Sequence, residues 1–180
     1  MFDGWENYYL MVGSSAGALI GLMFVVVTLT AGRDRAEVDR GKHLYTSPIV
    51  WHLAIILTLS GAATVPTISA RIFATAAGGL GLLGVGIGIR SAVGIARHPS
   101  APESAVFDMF WYGLAPAIVY AGLAGAALGV LRGWPWGTTA VAADLMALLM
   151  VSIHAEWDLV TYLAPRAAPS VGAKKRSKGS

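Results

Sequence analysis

The sequence predicts an all-α, polytopic membrane bundle of five transmembrane helices, with the N-terminus outside and the C-terminus inside. Three observations predict it. Of 180 residues, 56% are hydrophobic and only 13% charged, against about 25% charged in soluble domains, so polar side chains are too few to cover a soluble surface. Five long apolar runs are each bounded by charge or proline. Lys and Arg fall almost wholly into alternate connections. The same apolar content excludes a wholly disordered chain. The absence of cysteine excludes disulfides, thiolate metal sites and cysteine nucleophiles. An excess of 13 Lys+Arg over 10 Asp+Glu is too slight to point to nucleic acid.

The runs extend from about Leu10 to Ala31, Pro48 to Thr67, Ile72 to Ile89, Met109 to Leu131 and Thr138 to Val160. Each approaches the roughly 20 residues a helix needs to cross a hydrocarbon core, and continuous rather than alternating hydrophobicity selects helix over barrel. The third run is the shortest and richest in glycine, so a re-entrant segment is its alternative. The leader carries Asp3 and Glu6 but no Lys or Arg, unlike a signal peptide, and the first span is expected to be retained. Residues 1–163 are read as one transmembrane domain. Residues 164–180 are read as a basic, disordered cytoplasmic tail anchored near anionic lipid headgroups.

Orientation follows from the basic residues. The N-terminus has none, and the first connection has Arg33, Arg35, Arg40 and Lys42. The next three have Arg71, then Arg90 and Arg97, then Arg132, and the tail has Arg166, Lys174, Lys175, Arg176 and Lys178. With the N-terminus outside, 11 of the 13 basic residues lie inside. Tyr8, Tyr9, Trp51, Trp111, Tyr112, Trp134, Trp136, Trp157 and Tyr162 fall near span ends, where amphipathic rings favour the headgroup layer. Between Gly32 and Pro48, Arg33/Glu37 and Arg35/Asp39 stand four apart, which would let the first helix continue past the membrane.

Glycine is concentrated in the first, third and fourth spans. The first carries Gly13, Gly17 and Gly21; the fourth carries Gly113, Ala117, Ala121, Gly125 and Gly129, small at every fourth position. Helices in lipid associate by close backbone packing, which small residues permit. These rows are therefore expected to pack, within the protomer or between protomers. The match of Gly79 to Gly84 to GxGxxG lacks the preceding strand and the following acidic residue of a dinucleotide site, and is coincidence. Pro66 and Pro116 are positioned to kink their helices, with Thr64 and Tyr120 near enough to help satisfy freed backbone groups.

The fifth span holds Asp144, His154, Glu156 and Asp158. A central Asp costs about 2.5–3.5 kcal/mol to insert, and the span's eight Leu, Ile and Val residues return only about 4 kcal/mol. Its polar face should therefore turn to neighbouring helices. At about 100° per residue, Asp144, His154 and Asp158 lie within about 80° of one another, with Glu156 on the other side. The topology brings His52, Arg90 and Asp108 towards the same inner leaflet. His52, His154, Glu156 and Asp158 are weak metal candidates, and Asp144, His154, Asp158, His52 and Asp108 are candidates for a polar pathway. A structural polar cluster is the competing reading. Arg132 and Arg71 are the candidate partners of Asp144. No nucleophile constellation and no GxSxG, HExxH or P-loop pattern is present, and no cofactor is implied.

The segment from Tyr8 to Leu29, with its Ala18-Leu-Ile-Gly-Leu-Met-Phe-Val25 core, and the late His154-Ala-Glu-Trp-Asp-Leu-Val160 element resemble a group of small bacterial integral membrane proteins. These share an "ALIGLxFV"-type first helix and a late Ala-x-Trp-like element. The resemblance covers those two segments well and the middle weakly. It implies a multi-pass protein of the bacterial cytoplasmic membrane and transfers no site residue.

Three functions fit the sequence. The first is a non-catalytic membrane subunit or accessory protein that packs through glycine-rich faces, either with itself or in a larger complex. The second is an oligomeric ion or proton channel or transport protein that uses Asp144 and the inner polar cluster. The third is a metal-dependent membrane enzyme. The absence of an internal repeat and the odd span count weigh against a two-halved transporter, and the short loops weigh against catalysis.

Overall fold

The computed structural model describes residues 2–30, 47–97 and 105–163, all helical apart from short connections. Helix α1 spans Glu6–Thr30, α2 Ser47–Ala63 and α3 Ala70–Arg97. Helix α4 starts as Ala105–Met109, passes through a π-helical stretch at Phe110–Leu114 and continues as Ala115–Leu131; α5 spans Gly137–Leu163. Among the described residues, four stretches are long and apolar enough to cross a membrane: Glu6–Thr28, Ala70–Arg97, Val106–Leu131 and Gly137–Thr161. The apolar stretch Pro48–Ala63 of α2 is shorter. The expected continuation of the first helix beyond Gly32 and the basic tail lie outside the described residues.

Local chemistry sets the ends. Pro48 occupies the first turn of α2, where its missing N–H goes unused. After Ala63 the chain turns, with the Thr64 hydroxyl donating to the Gly61 carbonyl at 2.8 Å. Pro66 thus lies in the connection and terminates α2 early rather than kinking it, since proline disfavours helical geometry at the residue before it. Helix α4 closes in a Schellman motif: Trp134 N–H donates to the Gly129 carbonyl at 2.9 Å and Gly133 N–H to Val130 at 3.1 Å. Gly133 adopts φ 69° there, the left-handed conformation glycine tolerates. The five-residue connection that results sets α4 and α5 antiparallel.

The third run, sequence-predicted as the shortest, forms the longest helix, at 28 residues. Gly78, Gly81, Gly84 and Gly88 lie against α4, while a Cβ at Gly79, Gly86 or Gly94 would meet nothing within 4 Å among the described residues, and the helix runs through all of them. The α3–α4 pair is the most extensive contact in the molecule, followed by α1–α2 and α4–α5; α5 also touches α2 and α1. A common apolar core joins Tyr9 and Val12 of α1, Leu53, Ile56 and Leu59 of α2, Phe73 of α3, Leu123 of α4, and Leu145 and Leu148 of α5. Tyr9 is fully buried rather than turned to a headgroup layer. The T-shaped packing of Phe2 on Tyr9, at 4.9 Å between ring centroids, and of Phe2 on Phe73, at 4.7 Å, closes over it.

The small-residue rows divide into engaged and open positions. On α3 a Cβ at Gly81 would lie 2.9 Å from the Tyr120 carbonyl, one at Gly88 2.9 Å from the Ala117 Cβ, and one at Gly84 would enter the Tyr120 ring. A Cβ at Gly113 would lie 2.6 Å from Ala92. The engaged row on α4 is therefore Gly113, Ala117, Tyr120, Ala124 and Ala127 rather than the expected row through Ala121, Gly125 and Gly129. The reason is geometric. Strict four-residue steps advance about 40° each, so a row from Gly113 to Gly129 drifts by roughly 160° and cannot keep facing one partner. Alternating steps of four and three cancel that drift. Accordingly Ala121 is exposed and a Cβ at Gly125 would meet nothing within 4 Å, while Gly129 packs on Trp136 at the α4–α5 connection. On α1, a Cβ at Gly13 would lie 3.0 Å from the Ser60 Cβ, whereas at Gly17 and Gly21 it would meet nothing within 4 Å among the described residues.

Candidate functional site

Among the described residues, polar side chains gather against α4 at three separate places, and Glu156 lies apart from all three. The first centres on α2 and α4. The notch at Gly84 receives the Tyr120 ring, which aims the hydroxyl at α2, where it lies 2.7 Å from Nδ1 of His52. Which of the two donates depends on the imidazole tautomer. His52 is 4% exposed and Tyr120 fully buried, so the bond satisfies two groups that would otherwise be stranded in the core.

The second place lies nearer the start of α4. Pro116 has no N–H to offer the Tyr112 carbonyl four residues before it. The helix widens here into its π-helical stretch, with Ala115 N–H bonding to Phe110 five residues back. The Tyr112 carbonyl accepts a hydrogen bond from the Ser91 hydroxyl of α3 at 2.9 Å. Tyr120, one of the two groups expected to relieve the prolines, is engaged with His52 instead. The Tyr112 hydroxyl donates to Oδ2 of Asp158 on α5 at 2.8 Å. Nε2 of His154, one turn earlier on α5, sits 3.4 Å from the same oxygen. The contact is within ion-pair range, and His154 Nε2 makes no hydrogen bond among the described residues. It is weak, because both side chains are about one-third exposed. The Trp111 ring covers His154 at 4.1 Å between centroids and 37°, with Phe107 at its edge, 6.3 Å away. This arrangement sets an imidazole and a phenol beside one oxygen of Asp158, and the phenol is hydrogen-bonded to it.

Asp144 forms the third place. It lies against the bare backbone of Gly122, where a Cβ would come 2.5 Å from its Oδ1. It pairs with neither Arg132 nor Arg71 among the described residues. The helix register explains this. Gly78 faces Ala127 and Gly88 faces Ala117, which sets Arg71 about 12 residues along the bundle from Gly122, about 18 Å at 1.5 Å per residue. Arg132 is ten residues from Gly122 along α4, about 15 Å. Neither side chain spans such a gap. Arg132 instead sits over the Trp134 ring, 5.4 Å from its centroid.

The expected convergence of His52, Arg90, Asp108, His154, Glu156 and Asp158 is therefore met only in part. His154 and Asp158 come together, while His52 pairs with a tyrosine eight residues, about 12 Å along α4, from Tyr112. Arg90 is exposed and pairs with no carboxylate among the described residues, and Asp108 is half-buried in the first turn of α4. Glu156 lies on the other side of α5, as the helical angles require, 4% exposed and with neither carboxylate oxygen hydrogen-bonded. Among the described residues no three His, Asp or Glu side chains are grouped so as to hold a metal ion. The sequence reading expected the glycines of the third span, Gly84 among them, to pack but assigned Gly84 no partner; it missed Ser91 and gave Tyr112 and Tyr120 only minor roles. The available signal was the alternating row of Gly113, Ala117 and Tyr120 opposite Gly88 and Gly84.

No protein-family model matches the chain, and neither a curated protein nor a solved structure matches it. Its functional reading therefore rests on the arrangement of its own side chains.

Proposed function

We propose that this chain is a five-span protein of the bacterial cytoplasmic membrane, N-terminus outside and C-terminus inside, that serves as a non-catalytic subunit or accessory protein and binds a neighbouring membrane helix through α1. The observation that carries the reading is the open row on α1. Gly17 and Gly21 stand one turn apart with nothing among the described residues within 4 Å of where a side chain would be, and α1 is the least covered of the four long helices. Small residues left open in lipid let another helix approach closely. The direction of the helices supports five crossings. The Tyr8 hydroxyl, in the first turn of α1, donates to the Ala142 carbonyl near the start of α5 at 2.7 Å. With α3 and α4 antiparallel, α2 must carry the chain back across.

Two experiments test this. The chain has no cysteine, so single cysteines at Asp3 and Lys178 report sidedness without background. The Asp3 variant should react with an impermeant maleimide in intact cells and the Lys178 variant only after lysis; the reverse pattern contradicts the orientation. Gly17→Leu and Gly21→Leu should abolish association with a membrane partner while leaving the bundle folded.

A second reading, an oligomeric ion or proton channel, is favoured by the placement of Asp144, His154 and Asp158 along the side of α5 that meets α4. Its test is ion flux in liposomes, which Asp144→Asn should lower at least tenfold. An unchanged flux counts against this reading.

A further inference from the structure

Glu156 differs from the other polar side chains of α5. Ser152, one turn before it, donates to the Leu148 carbonyl at 2.8 Å, and Asp158 accepts from Tyr112. Glu156 shares its side of α5 with the buried Leu145, Leu149 and Ser152, about 120° around the helix from Asp144. Only 4% of its surface is exposed, and both carboxylate oxygens lack a hydrogen-bond partner. A carboxylate taken out of water without hydrogen bonds or a counter-charge is among the costliest groups a fold can bury. Within a membrane span, such a group marks an ion or proton site by default.

The titratable groups on the surrounding elements are engaged elsewhere or distant. His154 and Asp158 of α5 meet Trp111 and Tyr112 on the α4 side. His52 of α2 is bonded to Tyr120 of α4. Asp108 lies in the first turn of α4. The titratable groups of α1, Glu6, Tyr8 and Tyr9, stand at its opposite end. None of these side chains neutralises Glu156.

We propose that Glu156 is an ion-exchange carboxyl that binds a monovalent cation, H⁺ or Na⁺, in the core towards the C-terminal end of α5. The site is independent of the α1 docking face, and it uses a different side of α5 from the Asp144–His154–Asp158 line.

The full-length protein in liposomes tests this with dicyclohexylcarbodiimide, an apolar reagent whose C=N bond adds the carboxyl O–H and whose adduct is read by peptide mass spectrometry. At fixed pH, Glu156 should be labelled in choline buffer. At least tenfold protection by Na⁺ identifies a Na⁺ site. If Na⁺ does not protect, a proton site requires potential-driven proton uptake by the wild type that falls at least tenfold in Glu156→Gln. The absence of both Na⁺ protection and such a loss of proton uptake overturns the proposal. Thermal unfolding supplies the control for a structural role. Glu156→Gln, which removes no protein partner, should keep or raise the Tm, and a marked fall in Tm also overturns the proposal.

Discussion

Between α3 and α4, a Cβ added at Gly84 would enter the Tyr120 ring; on α1, a Cβ added at Gly17 or Gly21 would meet nothing within 4 Å among the described residues. Both regions are glycine-rich membrane helix, and composition alone gives them the same role. The difference lies in angular register. The α3 glycines that matter are spaced by three and four and stay on one side, so α4 can come within backbone contact and seat an aromatic ring in the notch. The α1 row has one member, Gly13, against Ser60, and then turns away from the protomer. Glycine in a membrane helix is thus either a seat for a known neighbour or room for an absent one, and the two respond differently to substitution.

The largest effect should come from filling the engaged seam. Gly84→Leu overpacks against Tyr120 and displaces its hydroxyl from His52, and should lower stability by about 3 kcal/mol or more. The check is thermal unfolding in detergent. Tyr120→Phe keeps the ring in the notch but strands Nδ1 of His52, a loss of about 1–2 kcal/mol in the same assay. His52→Leu in the Tyr120→Phe background should recover part of it, because no buried polar atom is then left unpaired. Ser91→Ala removes the hydrogen bond to the Tyr112 carbonyl at the π-helical stretch. At roughly 0.6 kcal/mol, typical of a side-chain hydrogen bond in a membrane bundle, it should be detectable only as a small drop in Tm. Gly17→Leu should change the stability of the isolated protein by less than any of these, and show its effect in association alone.

Much of the fold is legible in the sequence because its strongest signal is length of apolar run, and all five helices coincide with the five runs. Ends were read less well. Ile72 to Ile89 extends in both directions to Ala70–Arg97, because Arg71, Arg90 and Arg97 continue a helix as readily as they bound one; their charges mark polarity, not termination. Tyr9 was expected at an interface and is in the core, since the aromatic cap from Phe2 is supplied by residues before the first span. The candidate site was legible where geometry is local. The shared side of Asp144, His154 and Asp158 and the opposite placement of Glu156 follow from 100° per residue. It was not legible where it depends on which residue of one helix stands level with which of another. That register separates His52 from His154 and leaves Asp144 far from Arg71 and Arg132.

The central claim, that the row on α1 faces a partner while the α3–α4 row is spent inside the protomer, is tested most directly by cysteine cross-linking in native membranes. The chain supplies no competing thiol. Single cysteines would be placed at Gly17, Gly21 and Gly125, all of which are open, and treated with a short bifunctional maleimide. The account predicts a discrete higher-mass adduct, to another membrane protein or to a second copy, from the Gly17 and Gly21 variants and none from the Gly125 variant. Adducts confined to Gly125, with the α1 variants remaining monomeric, would contradict it.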